Sequence, residues 1–252
     1  MRNTRELKIK SYETCQSLIS LKRARSRAIY AIRRISPRAF ECRDFDAVVC
    51  SYGGGGTTFL LEFLAKKIRV NSWNSFHDGI KHACSPDHPA LAWRSVQKAV
   101  YVYGDPRDAV ISLFRRSYQS HMVPKLTSPS HLAGFDYRQY VDSNLYSGDF
   151  HSFLEKGEDA FGIVHHWRAW TTEEVGFPIA LVKYESLHSH LHDLLDFLEL
   201  SLDTVNSFPP RRNRASTCKN LPRQDADVLN SIYGAIREDM ESLPAFHVRE
   251  AR

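Results

Sequence analysis

Ser51-Tyr52-Gly53-Gly54-Gly55-Gly56-Thr57-Thr58 follows the short apolar run Ala47-Val48-Val49-Cys50 and precedes Phe59, Leu60, Phe63 and Leu64 at helical spacing. An apolar run of this length suits a strand buried on both faces. The pattern after Thr57 is that of an amphipathic helix. Four glycines at such a junction let the backbone curl with its N–H groups turned inward, toward the positive end of the helix dipole. That arrangement attracts a phosphate or a similar oxyanion, and the hydroxyls of Thr57 and Thr58 add donors.

The same strand-to-helix grammar recurs twice. Ala99 to Tyr103 leads into Asp105-Pro106-Arg107-Asp108 and then Val110, Ile111, Leu113 and Phe114. Here Asp105 suits an N-cap, Pro106 the first helical position and Asp108 the positive end of the helix. A third unit runs from Ile179 to Val182, with Ser186 as cap and Leu187, Leu191, Leu194, Leu195 and Leu198 behind it. A last helix is expected around Val228, Leu229, Ile232, Tyr233 and Ile236. Strands alternating with helices imply an α/β fold of three layers, α/β/α, around a central parallel sheet with right-handed crossovers.

The 252 residues carry a net charge of +5, but the charge is unevenly spread. Residues 1–40 alone carry +9, which leaves −4 for the rest. A nucleic-acid binder spreads basic residues over its folded surface, so that class is disfavoured. The basic segment reads as a separate extension, helical or partly disordered, with residues 41–252 forming the domain. Leu18, Leu21, Ala28, Ile32 and Ile35 fall near helical spacing among Lys22, Arg23, Arg27, Arg33 and Arg34, which suits a solvated helix or peripheral contact with an anionic membrane. Five scattered cysteines without a CxxC pair, no apolar run long enough to span a bilayer, and no apolar signal-peptide core point to a reduced, cytoplasmic setting. Residues 119–160, rich in Ser, His, Pro and Tyr, read as an insertion or lid where an acceptor would be contacted. Nothing in the sequence decides the oligomeric state.

The loop is not a Walker A motif, because no lysine precedes Thr57, and a divergent P-loop kinase is therefore a minor reading. Taken together, the motifs resemble the sulfotransferases that use 3′-phosphoadenylyl sulfate (PAPS), a P-loop-like fold. The family's loop has the form Tyr-Pro-Lys-Ser-Gly-Thr-Thr; Tyr52, Gly56, Thr57 and Thr58 match it, and Gly53, Gly54 and Gly55 replace Pro, Lys and Ser. Gly104-Asp105-Pro106-Arg107-Asp108 with Ser112 is similar to the family's Arg-Asn-Pro-x-Asp and Ser element. His166 and Trp170 resemble its His-x-x-x-Trp helix, Lys183-Tyr184-Glu185 its Tyr-Glu strand end, and Arg211-Arg212-Asn213 its Arg-Lys-Gly clamp. The resemblance spans residues 46–222 in order.

The resemblance implies transfer of a sulfuryl group from PAPS to a hydroxyl or amine on a small-molecule or glycan acceptor, without a metal. Gly53, Gly54, Gly55, Gly56, Thr57 and Thr58 would cradle the 5′-phosphosulfate. Ser112, Arg211, Arg212 and Asn213, aided by Arg107, would hold the 3′-phosphate. Thr57 and the general base would act at the reacting group. His82 stands where the family places its base, with His77 and His88 as neighbouring candidates. The family's loop Lys aligns with Gly54 and its phosphate-gripping Arg with Gly104, so a relative that binds nucleotide or a partner without turnover is the alternative. Zinc at His82, Cys84 and His88 has irregular spacing and no fourth ligand. Trp167, Trp170 and Phe161 read as core.

Overall fold

A computed structural model describes residues 44–54, 56–71, 80–88, 91, 95–127, 149–210 and 217–252. The basic extension, the middle of the expected lid, His77, Gly55 and Arg211-Arg212-Asn213 lie outside the described residues.

The chain enters through β1 (Asp44–Phe45) and β2 (Val48–Cys50), passes the glycine loop into α1 (Thr57–Leu64), and makes a single 3-10 turn at Ile80–His82. Next come β3 (Ser95–Val96), β4 (Ala99–Tyr103), α2 (Pro106–Arg115) and α3 (Gln119–Thr127). Helices α4 (Phe150–Lys156) and α5 (Ile163–Thr172) precede β5 (Ile179–Lys183). The chain closes with α6 (Leu191–Phe197), α7 (Arg223–Ser242) and β6 (Phe246–Arg249). The main sheet has the order β2-β4-β5-β6, while β1 pairs with β3 in a separate two-stranded ladder.

Strands β2, β4 and β5 are parallel, as the alternating grammar requires. Apart from Lys183 at the end of β5 they are buried throughout, which is what a sheet covered on both faces demands. Val49, Val100, Val102, Ala180 and Val182 pack with Leu60, Leu61 and Leu64 of α1 and Leu191, Leu194 and Leu195 of α6. The alternate residues of β4 face the other way. There the Tyr101 ring stacks on Trp170 at 5.5 Å, and Tyr103 meets Trp167 at 5.0 Å, both from α5. Trp167, Trp170 and Phe161 are accordingly core.

Two expectations need correction. The sheet is not wholly parallel: β6 pairs antiparallel with β5. Near its end α7 already reaches the carboxyl edge of the sheet, where the Met240 sulfur lies 3.9 Å from the Tyr52 hydroxyl, so the chain enters β6 from that edge and runs back. Nor does Ser186 cap a helix. Tyr184–Ser186 forms a 3-10 turn, and α6 begins at Leu191 behind His190. The expected last helix is present and extends over Arg223–Ser242.

Among the described residues, the outer side of this edge meets one bridge, Ala47 just before β2 with Val70, in parallel. Asn71 completes the edge: its side-chain oxygen accepts from the Val49 amide at 2.7 Å and its nitrogen donates to the Val49 carbonyl at 2.9 Å. The side chain thus replaces a missing strand for one residue. With that bridge counted, the strand order around β2 reverses between β2 and β4, and both carboxyl ends open on the same crevice.

Asn71→Leu leaves the Val49 N–H and C=O buried without partners, at about 1–3 kcal/mol each. Urea unfolding of this variant should show a loss of that order, and a loss below the measurement error would contradict the edge-closing role.

Candidate functional site

The turn from β2 into α1 is curled through left-handed backbone at its described glycines. Gly53, Gly54 and Gly56 adopt φ of 95°, 70° and 68°. Gly56 is the N-cap of α1, so no capping side chain and no acidic first-turn residue occupies the helix start among the described residues. The amides at that end, with the helix dipole behind them, suit an anion. Thr57 is buried, its hydroxyl 3.4 Å from that of Ser51, whereas Thr58 is exposed. The Gly53 amide donates to the Ser51 hydroxyl at 3.1 Å.

Space matters as much as φ here. A Cβ at Gly54 would sit 2.9 Å from the Cα of Ala109 in α2 and 3.1 Å from its Cβ. One at Gly56 would run into the Tyr184 ring. One at Gly53 would meet the Met122 methyl of α3 at 2.9 Å. The loop is pressed between α2, α3 and the Tyr184 turn, so the position aligned with the family's lysine admits no side chain at all.

Tyr52 joins the two motif-bearing strands. Its hydroxyl accepts from the Gly104 amide at 2.9 Å and donates to the Gly104 carbonyl, which ties the end of β2 to the end of β4. Beyond Gly104, Asp105 caps α2 by accepting from the Arg107 amide at 2.9 Å. The Arg107 guanidinium folds back on the same carboxylate at 2.5 Å and reaches Asn230 of α7 at 3.3 Å. Burial pushes the Asp105 carboxyl upward, but the bonds from Arg107 outweigh it and hold the group below its ordinary range. Arg107 is therefore committed to its own cap. Asp108 accepts from the Cys218 amide at 2.7 Å, which brings the chain just after residue 216 to the first turn of α2. Ser112, one turn further along, is nearly buried.

His82 is placed on the loop. Its Nδ1 donates to the Ser51 carbonyl at 2.7 Å, and its Cε1 lies 3.8 Å from where a Gly53 side chain would begin. A carbonyl only accepts, so Nδ1 carries the proton and Nε2 the basic lone pair. The turn bearing His82 is anchored from both sides: the Ser51 amide donates to the Lys81 carbonyl at 2.9 Å, and the Trp170 indole donates to the Ala83 carbonyl at 2.8 Å. His88 is buried further along, next to a turn closed by Ser85. Among the described residues no three His, Cys, Asp or Glu side chains come together as metal ligands.

The motif resemblance marks Tyr52 without giving its hydroxyl a role, and nothing in the residue types singles out Lys81. Lys81, beside His82, is only 9% exposed, and burial pushes its ammonium down to about 8. Its charge couples to Tyr118 and Arg116 at the far end of α2. His166 is fully buried, and burial, with the nearby His82 adding to it, pushes the imidazole down to about 3. No helix among the described residues is long and apolar enough to cross a membrane.

No protein-family model matches this chain, and comparison with curated proteins finds no match.

Two outcomes are expected from this geometry. Gly54→Ala combines a positive φ with a backbone clash and should cost about 2 kcal/mol or more in denaturant unfolding; a neutral effect would mean that Ala109 does not close over the loop. His166 is held neutral well below its ordinary value near 6.5. The unfolded chain therefore takes up this proton first, and the ring's contribution, complete above pH 6.5, is lost as the pH falls toward 3. His166→Phe should show a shallower acid loss, by of order 1 kcal/mol per pH unit between pH 6 and 4, in urea titrations beside the native chain.

Proposed function

We propose that the chain is a sulfotransferase of the PAPS-dependent kind, with a P-loop-like fold, moving a sulfuryl group to a hydroxyl or amine acceptor. The observation that carries the reading is the pairing of the uncapped, glycine-lined start of α1 with His82 on the Ser51 carbonyl. An anion site and a tautomerically defined base then meet at one turn, in the crevice between β2 and β4 where α/β sheets receive nucleotides.

In this reading Gly53 to Thr58 hold the 5′-phosphosulfate through backbone amides and threonine hydroxyls. Developing charge on the departing phosphate oxygen is met by preorganised amides and the dipole of α1. His82 takes the acceptor proton at Nε2, as a histidine near neutral pH does well. Ser112 and the segment 211–213 hold the 3′-phosphate; the contact of Cys218 with Asp108 supports this, because it delivers the chain beside α2. Arg107 serves α2 by bracing its cap. Residues 119–160 supply acceptor contacts, and the Met122 methyl beside Gly53 is consistent with that segment covering the loop.

One observation favours a second reading. The Ala109 backbone leaves no room for a loop cation at position 54, so the site also suits a protein that binds the nucleotide without turning it over. Losing one charge-stabilising donor costs about 10² to 10³ in rate, enough to abolish useful activity.

Titration with adenosine 3′,5′-bisphosphate separates these possibilities. The bisphosphate should raise the melting temperature saturably, with about 2.7 kcal/mol of stabilisation at a hundredfold excess over Kd. No stabilisation overturns both readings. With binding established, transfer of labelled sulfate from PAPS to an acceptor mixture, lost in His82→Asn while binding persists, selects the enzyme; binding with no transfer selects the non-catalytic relative.

A further inference from the structure

His166 is buried to 0% exposure, yet its Nε2 has no hydrogen-bond partner among the described residues. Its Nδ1 is held by the Tyr101 hydroxyl at 2.9 Å. The ring lies nearly parallel to Trp170, at 6.4 Å and 23°, and stands edge-on to Tyr52 at 6.3 Å and 90°. An aromatic hydrocarbon of similar size would fill this space without stranding a nitrogen, which costs about 1–3 kcal/mol when buried unpaired. An unsatisfied buried polar atom in an otherwise well-bonded core calls for an explanation in function.

The surroundings supply one. His166 and Trp170 are one helical turn apart and share a face of α5. Trp170 binds the carbonyl of Ala83, the residue that follows His82, and the backbone of His82 is among the groups acting on the His166 ring. From the opposite side, Ser51 binds the turn through the Lys81 carbonyl and through His82 Nδ1. The His82 turn is thus held between the end of β2 and one face of α5.

We propose that His166 is a positioning residue for His82: packed beside Trp170 on one face of α5, it supports the bond from Trp170 to the 80–83 turn, so that His82 stays on the Ser51 carbonyl in the Nδ1–H form. This rests on the reading of His82 as the general base. Burial supports it, because an imidazole held neutral does not compete for the proton that His82 accepts. Tyr101 fixes the orientation of the ring from β4, and Trp170 fixes the height of the turn.

The test is the ¹⁵N signature of the His82 ring in the full chain, assigned by its disappearance in His82→Asn. The native protein should show a single Nδ1–H tautomer at pH 7.5. In His166→Phe both tautomers should appear, each at a tenth of the population or more, while His166→Gln, which keeps a polar nitrogen at the site, restores one. Trp170→Phe, which removes only the indole donor, should produce a smaller admixture and serves if His166→Phe does not fold. An unchanged single tautomer in whichever of the two variants folds overturns the proposal. Adenosine 3′,5′-bisphosphate binding, measured in parallel, separates the two ideas. A chain that ignores the bisphosphate but shows the tautomer shift fails as a sulfotransferase, yet keeps His166 as the positioner of His82. A chain that binds the bisphosphate with no tautomer shift fails only here.

Discussion

The turn leaving β2 has no room for side chains. Ala109 stands against Gly54, Met122 against Gly53 and Tyr184 against Gly56, and three of the four glycines adopt backbone angles that other residues resist. Because the loop is squeezed by its neighbours, its polar groups are confined to the main chain and to the hydroxyls of Ser51, Thr57 and Thr58. The rest of the site is arranged around that constraint. Tyr52 ties the loop's first residues to Gly104, α2 follows from Gly104 with Asp105 as its cap, and the His82 turn is bound to Ser51. A site of this kind works through preorganised amides rather than through a mobile charged side chain.

Much of the fold was legible because its periodicities are strong. The runs Ala47–Cys50, Ala99–Tyr103 and Ile179–Val182 are unbroken by polar residues, and buried parallel strands require that. The caps at Asp105 and Pro106 follow from local chemistry and appear as expected. What could not be read depends on tertiary placement. Strand β6 is only half-buried and short, and its direction is set by where α7 ends. The delay of α6 to Leu191 follows a turn whose Tyr184 ring lies over Gly56, a contact 128 positions away in sequence.

The site divides in the same way. Glycines at a strand–helix junction announce a tightly curled loop, since few other residues adopt the backbone it needs. The meeting of His82 with Ser51 was reachable only through a resemblance of motifs, for nothing in a lone histidine at that spacing says which carbonyl it will find. Arg107 shows the opposite case. Its position in the first turn of α2 suggested a reach toward phosphate, but a carboxylate two residues back is nearer, and the guanidinium folds onto it. Trp170 reads as core and is core, and His166, read only as part of a motif, is buried beside it; the hold of Trp170 on the 80–83 turn comes from an indole N–H that an aliphatic core residue lacks.

The central claim is that main-chain amides at the mouth of β2 converge on an oxyanion. Amide ¹H–¹⁵N spectra recorded during addition of adenosine 3′,5′-bisphosphate address it most directly. The account predicts that the amides of Gly54, Gly56, Thr57 and Thr58 move together, downfield and saturably, with one dissociation constant. Saturable binding that leaves those four resonances in place, and shifts amides away from the β2–α1 turn instead, would contradict it.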